Sequence, residues 1–235
     1  MLAKSIGRKK KEKKYIPSSK LGKHLSESEI MELITPVMNL ALRDPLETFY
    51  VGMELHSIKN HYDNKLKEQS LKLIIKASEG GISNASYILS LFYGYGAELG
   101  MVRRNGKKHV YYLNLAYEQD HDNVYALNLL AGKYGLGVDG FDKDSKKAFD
   151  YYKKASDLGF AYAQCNLSYF YLHGEVVEKD VEKALELLEN AAEAGDTTAM
   201  YDLWYLYSGQ NEDVEKDIEK SNYWGNKYDN RYRPR

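Results

Sequence analysis

The chain has 235 residues, enough for one or two domains with a substantial core. Its formal net charge of −1 excludes a chain that is basic throughout, and its single cysteine, Cys165, excludes an intrachain disulfide. No apolar run approaches the ~20 residues that a membrane span needs, and the basic start lacks the apolar segment of a secretory signal. We therefore expect a cytoplasmic protein with no membrane span.

Residues 1–25 form the first predicted segment, which is basic. Residues 1–23 carry nine Lys or Arg against a single acid, Glu12, so the rest of the chain is net acidic. Such a composition is typical of a disordered, solubilising tail. Polybasic stretches also bind nucleic acid or anionic lipid through counterion release, and residues 1–23 are the only place where this chain could do so.

Residues 26–63 are predicted to form N-terminal helices. The stretch ESEIMELITPVMNLALR is expected to be a helix that Pro36 bends or breaks. The following stretch, LETFYVGMELHSIKN, looks like a degenerate copy of the repeat described next. Glu47, Val51 and Leu55 would take the places of its alanine, leucine and tyrosine.

Residues 64–216 contain a four-position pattern in which an alanine is followed by leucine at +4, tyrosine at +8 and glycine at +11. Three segments match fully; a fourth has Gln210 in the glycine place and Gly209 one place early. The starting alanines are 41, 37 and 36 residues apart. The matches are Ala85, Leu89, Tyr93 and Gly96; Ala126, Leu130, Tyr134 and Gly137; Ala163, Leu167, Tyr171 and Gly174; and Ala199, Leu203 and Tyr207.

A second pattern precedes each of these. The segments DSKKAFDYYKKASDLG and DVEKALELLENAAEAG share an aspartate, a Lys-Ala pair, two large apolar residues, an alanine and a glycine. The apolar places form one stripe of an α-helix, the aspartates suit N-caps, and the glycines suit the position after a helix. Each unit is therefore predicted to be a helix hairpin that buries its faces by stacking on its neighbours.

Residues 217–235 are predicted to be a capping helix and tail. The stretch DIEKSNYWGNKYDN opens like another first helix, but it has Ser221 and Tyr228 in the alanine places and Gly225 inside the apolar stripe.

Together, the patterns resemble the Sel-one-like repeat family, a relative of the tetratricopeptide repeat. The resemblance implies an all-α protein, a right-handed α-solenoid of stacked antiparallel helix hairpins. Proteins of this family are mostly adaptors and scaffolds that bind other proteins, without catalysis or cofactor. The resemblance therefore implies a non-enzymatic interaction module with a protein partner.

If the concave face is lined by the first helix of each hairpin, as in tetratricopeptide arrays, two rows of residues would face the partner. They lie two and five places before the alanines of the first helices, and they differ from repeat to repeat. Solvated helix faces would show the same variation, so both interpretations stay open. The rows are Lys72, Ile75, Tyr111, Asn114, Asp150, Lys153, Glu186 and Glu189.

No motif predicts catalysis or a metal site. GYGAELG occupies the glycine place of the repeat and does not follow a strand, so phosphate binding is not expected there. His56 and His61 are too far apart to share one helical face, and Cys165 has no fixed histidine partner. An alternative function to the scaffold is an inhibitor or immunity-type protein that neutralises one bacterial toxin or enzyme by direct binding.

Overall fold

The computed structural model describes residues 44–57, 64–96 and 102–232. Within these ranges there are ten α-helices and no strand. The helices are α1 (Pro45–Ser57), α2 (Asn64–Glu79), α3 (Ser83–Tyr95), α4 (Gly106–Gln119), α5 (Val124–Leu136), α6 (Ser145–Asp157), α7 (Ala161–His173), α8 (Val181–Glu193), α9 (Thr197–Tyr205) and α10 (Ile218–Tyr232).

Each helix packs against the helices before and after it, so the core is a series of small clusters along the stack. The alanines of both sequence patterns lie where helices cross, and all eight are completely buried. Because alanine is small, the helix backbones approach closely there while larger side chains fill the layers beside them. The predicted all-α solenoid of helix hairpins is confirmed. The eight alanines are Ala77, Ala85, Ala116, Ala126, Ala155, Ala163, Ala191 and Ala199.

The predicted helix ends are also present. The carboxylates of Asp144, Asp180 and Asp217 accept hydrogen bonds from the backbone N–H three residues later, at 2.9, 2.9 and 3.0 Å. Gly159 and Gly195 follow α6 and α8 with φ of 82° and 97°, a conformation that a side chain would disfavour.

The tyrosine at +8 joins one hairpin to the next. The backbone N–H of the residue before each following first helix donates to the carbonyl of the preceding +8 tyrosine, for example Asp144 to Tyr134 at 2.8 Å. The lysine three residues after the cap lies over that ring: Lys147 Nζ is 4.9 Å from the Tyr134 centroid. The same pairing recurs for Lys108 with Tyr93 and for Lys220 with Tyr207. The tyrosine at +8 therefore lies at the junction between one hairpin and the next.

The C-terminal end departs from the pattern where the sequence does. After α9 the chain makes a π-helical turn, Leu206–Gln210, in which Gly209 has a φ of 87°. In α10, Ser221 is buried in an alanine place and donates to the Trp204 carbonyl at 3.0 Å. Gly225 faces the Trp204 ring so closely that a Cβ would lie 2.9 Å from its Cδ1.

The predicted segments 1–25, 26–63, 64–216 and 217–235 stay predictions. The basic segment and the helix with Pro36 lie outside the described residues.

Candidate partner-binding surface

The eight predicted partner-binding residues lie on the first helix of four successive hairpins. Six are exposed, and Ile75 and Glu189 are half-buried. The packing positions of the same helices are buried, so the two rows occupy the part of each helix that the stack leaves accessible. The exposed six are Lys72, Tyr111, Asn114, Asp150, Lys153 and Glu186.

The charged members of the rows pair within their own helices. The Nζ atoms of Lys72 and Lys153 lie 2.7 Å from the carboxylates of Glu68 and Asp157. The Lys153 pKa is raised chiefly by its hydrogen bond to Asp157. Asp150 pairs with Lys146 at 3.0 Å and Glu186 with Lys183 at 2.7 Å. Exposed ion pairs of this type contribute little to stability, so a partner can exchange them at little cost.

Ile75 and Glu189 also hold the stack together. Ile75 packs against the cluster around Ile74 and Leu89. Glu189 accepts a hydrogen bond from the Tyr207 hydroxyl at 3.0 Å, and its Oε1 lies 3.9 Å from Lys220 Nζ. Substitution of either residue would therefore disturb packing as well as any contact with a partner.

Tyr111 is the most suitable anchor in the rows. Its side chain is 60% exposed, and its ring meets the edge of Tyr112 at a centroid distance of 5.0 Å. Tyr112 in turn stacks on Tyr93 at 5.6 Å. Exposed tyrosines supported in this way present a rigid apolar area with a polar tip, which suits protein–protein contacts.

The second helices expose aromatic residues that lie outside the predicted rows. The rings form contacts along the stack, such as Tyr87 with Tyr125 at 5.6 Å and Tyr125 with Phe160 at 5.3 Å. Their positions in the sequence, next to the packing rows of the second helices, are the signal that could have identified these aromatic residues. The exposed members on α5, α7 and α9 are Tyr125, Tyr162, Tyr169, Tyr201, Trp204 and Tyr205.

Cys165 lies on α7 and is half-buried against α9. Its thiol is 3.9 Å from Asp202 Oδ2. Burial, then the nearby charges of Asp196 and Asp202, raise the pKa of the thiol. Because the thiolate is the reactive form, this environment suppresses nucleophilic chemistry.

The described residues give little support for a metal site or a membrane-spanning helix. None of their His, Cys, Asp and Glu side chains form a group of three or more that could hold a metal ion. The side chains of His56 and His61 lie outside the described set, as do the last four residues of GYGAELG. His121 makes a local contact at the end of α4, where its Nδ1 lies 2.6 Å from the Tyr117 carbonyl oxygen. No helix in the described ranges is long and apolar enough to cross a membrane.

Known proteins share both the repeat and the fold. Chitin synthase regulator SKT5 from Saccharomyces cerevisiae is 30% identical over 135 residues, which are 57% of this chain and 19% of that protein. Its Malassezia restricta counterpart is 31% identical over 134 residues, 56% of this chain and 9% of that protein. The chain thus spans less than a fifth of these relatives.

Two solved structures have a similar fold. A Sel1 repeat protein from Oxalobacter formigenes aligns with a TM-score of 0.72 at 23% identity, over 88% of this chain and 80% of that chain. Immunity protein PA5088 from Pseudomonas aeruginosa aligns with a TM-score of 0.53 at 16% identity, over 93% and 87%.

The family model called Sel1 repeat matches four successive units, which together cover more than half of the chain. They are residues 83–121, 124–160, 161–196 and 198–227. Each matched unit starts with the second helix of one hairpin, where the alanine–leucine–tyrosine pattern begins, and continues into the first helix of the next hairpin. The chain belongs to the Sel1 repeat family.

Proposed function

We propose that the chain is a non-enzymatic interaction module that binds one partner protein through the first-helix rows. The observation that carries the proposal is the contrast within these helices. The alanine places are identical and fully buried, whereas the rows at −5 and −2 are accessible and differ in every repeat. A repetitive ligand would favour identical residues, so the variation favours one particular partner.

The charge order along the rows supports a directional fit. Lys72 lies on α2, Asp150 and Lys153 on α6, and Glu186 and Glu189 on α8. A partner with the opposite order of charges would be steered into one orientation, because complementary charges mainly raise the association rate and fix the register.

The relatives are compatible with this function. By its name, SKT5 regulates an enzyme, chitin synthase, and Sel1 repeats in general act as interaction modules. Since the chain spans only a small part of SKT5, a chitin synthase is not implied as the partner.

The test uses two exposed tyrosines, Tyr111 on a first helix and Tyr169 on the second helix of the next hairpin. Full-length chain is immobilised and exposed to lysate of the source organism, beside Tyr111→Ala and Tyr169→Ala variants. Tyr169 is 54% exposed on α7 and serves as the matched control. We expect one dominant protein to be retained by the wild type and by Tyr169→Ala, and its affinity to fall about 10- to 30-fold in Tyr111→Ala. Equal affinity of the three proteins for the partner would contradict binding through the first-helix rows.

The second candidate is a dedicated inhibitor of the immunity type. Such an inhibitor would also bind one partner through a non-repeating surface. The fold of immunity protein PA5088 is compatible with this role. Once a partner is captured, assay of its activity separates the two. Loss of the partner's activity at one equivalent of chain selects the inhibitor, and unchanged activity selects the scaffold.

We also propose a cytoplasmic location. The single cysteine, which cannot form an intrachain disulfide, is suited to a reducing compartment. Fractionation of the source cells with an antibody against the chain tests this location.

A further inference from the structure

The outward side of the second helices carries no charge. In each of these helices, the residues one place before and two, six and ten places after the buried alanine lie on one side, which we call the second-helix face. At these places α3, α5, α7 and α9 have no Asp, Glu, Lys or Arg, whereas five of the eight residues in the first-helix rows are charged. In a chain with 29% charged residues, an accessible surface without any is unusual.

Large apolar side chains are exposed on this face. Six of them are between 40% and 74% exposed, and together they leave about 600 Å² accessible if a whole side chain of this size has a surface of roughly 200 Å². The largest apolar patch of a typical monomer is about 300–600 Å², and one side of a standard protein–protein interface is about 800 Å². The face therefore accounts for most of one side of a specific interface. The six residues are Tyr95, Leu136, Tyr162, Tyr169, Tyr201 and Tyr205.

The face is continuous from one repeat to the next. The ring of Tyr125 on α5 meets Phe160 at a centroid distance of 5.3 Å, and Phe160 meets Tyr162 on α7 at 5.6 Å. From α7 the surface continues to α9, where the Cys165 thiol lies 3.9 Å from Asp202 Oδ2. The exposed side chains therefore belong to one surface and are not isolated spots.

The face has a protrusion and a depression at the same place of the repeat. Six residues after the buried alanine, α7 has the exposed Tyr169 and α9 has the exposed Tyr205, but α5 has Gly132. A Cβ on Gly132 would meet, among the described residues, only the Tyr152 hydroxyl oxygen, at 3.5 Å. The missing side chain therefore leaves a shallow gap one helical turn before Leu136.

A second copy of the chain fits this surface. In a two-fold dimer the same patch meets itself, so each protrusion must find its depression on an identical surface. Tyr169 and Gly132 provide such a pair, and a two-fold axis uses it twice. An uncharged patch also avoids the like-charge repulsion that a charged surface meets when it faces its own copy. Homodimer interfaces are correspondingly apolar, enriched in Tyr and depleted of Lys, Glu and Asp.

We propose that two copies of the chain form a two-fold dimer through their second-helix faces, with Tyr169 of each copy over Gly132 of the other. The dimer axis then lies between α5 and α7. An interface of this kind buries about 1,200–1,600 Å² in total, counting both copies. The first-helix rows stay outside it, so the dimer presents two partner-binding surfaces, and the inference does not depend on the proposed partner.

Sedimentation equilibrium of the full-length chain between about 1 and 100 μM tests the dimer. We expect the wild type to have twice the mass of one chain at the upper end and to dissociate on dilution. Tyr169→Glu and Gly132→Glu should each weaken the dimer about 100-fold or more, because each places an unpaired charge in the interface twice. Since Tyr169 is exposed and Gly132 has no positive φ, circular dichroism should show both variants folded.

Tyr111→Glu is the matched control. It introduces the same charge at a tyrosine of similar exposure on a first helix, and the dimer should stay as strong as in the wild type. The two tyrosine variants should then behave in opposite ways. Tyr111→Glu keeps the dimer and loses the partner protein, whereas Tyr169→Glu loses the dimer and keeps the partner. Failure of the dimer and failure of the proposed function are therefore observed separately.

A charge exchange tests the assigned contact between the two copies. Tyr169→Lys and Gly132→Glu should each be monomeric alone at about 20 μM. An equimolar mixture of the two should form a dimer, because the introduced lysine faces the introduced glutamate at one contact and the other contact is that of the wild type.

The dimer is excluded if the wild type is monomeric throughout the concentration series. A dimer that survives both Tyr169→Glu and Gly132→Glu, or that Tyr111→Glu weakens equally, would place the interface on another surface and overturn the proposal. A mixture of the charge-exchange variants that stays monomeric contradicts the pairing of Tyr169 with Gly132.

Discussion

The outward faces of the first and second helices differ in chemistry although they share one core. The first helices expose mainly charged residues that pair within their own helix, with Tyr111 as the one large exposed aromatic on α4. The second helices expose a succession of aromatic residues and contain the bare carboxylate of Asp196. The same buried alanines thus support a charged surface on the first helices and an aromatic surface on the second helices.

The contrast shows that the side chains outside the packing rows can differ between first and second helices. The eight alanines are completely buried, and their small size sets how closely the helices approach. Surface chemistry can therefore differ between the two sides without a change of fold.

The largest expected effect comes from the core beneath both faces. Leu203 is completely buried in the cluster with Ala199 and Trp224. Leu203→Ala should lower the free energy of unfolding by about 2–5 kcal/mol, because it removes buried apolar area and leaves a cavity. Denaturant unfolding followed by circular dichroism measures it. Leu136→Ala, at a position 74% exposed, is the control and should change little; a similar loss in both variants would contradict the assigned core.

A smaller effect is expected at the start of a first helix. The Asp180 carboxylate accepts from the Lys183 N–H at 2.9 Å and caps α8. Asp180→Ala should lower the free energy of unfolding by about 1 kcal/mol, whereas Asp180→Asn, which can still cap, should lower it by only a few tenths. The same denaturant titration distinguishes them. If both variants lose equally, the negative charge matters more than the capping hydrogen bond.

The smallest effect on stability, but a clear chemical one, is expected on the second helices. Asp202 is one of two acids that raise the pKa of the Cys165 thiol, although burial is the larger cause. Asp202→Asn should lower that pKa and speed alkylation of Cys165 by iodoacetamide at pH 8, while stability changes by about 0.5 kcal/mol or less. Mass spectrometry follows the reaction over time. Glu182→Gln should leave the rate unchanged, and an unchanged rate in Asp202→Asn would show that burial alone controls the thiol.

The pH dependence of the same carboxyl has a definite sign. A raised pKa means that the folded state holds the Asp202 proton more tightly than the unfolded state does. Asp202 therefore destabilises the fold above its folded pKa, and this penalty disappears as the pH falls below the unfolded value of about 3.9. The stability gained in Asp202→Asn should accordingly be present at neutral pH and shrink in acid.

The repeat, its helices and its caps could be predicted from the sequence, because these features depend on residues close together in the chain. Alanine spacing predicted the crossings, Asp180 predicted a cap, and Gly195 predicted a positive φ, and the structure has all three. The position of the candidate rows on the first helices followed from the same periodicity. Whether those rows bind a partner stays a prediction, since binding depends on a molecule that the sequence does not contain.

The pattern of hydrogen bonds to buried polar atoms, in contrast, is visible only in the folded structure. Asn123 and Asp196 occupy equivalent places of the repeat, and the structure shows both as N-caps. The difference between them depends on the preceding repeat, where Ser83 supplies a hydroxyl to Asn123 and Ala161 supplies none to Asp196. Helix propensity and spacing are local, but the satisfaction of a buried oxygen depends on which side chains the stacked helices bring within about 3 Å of it.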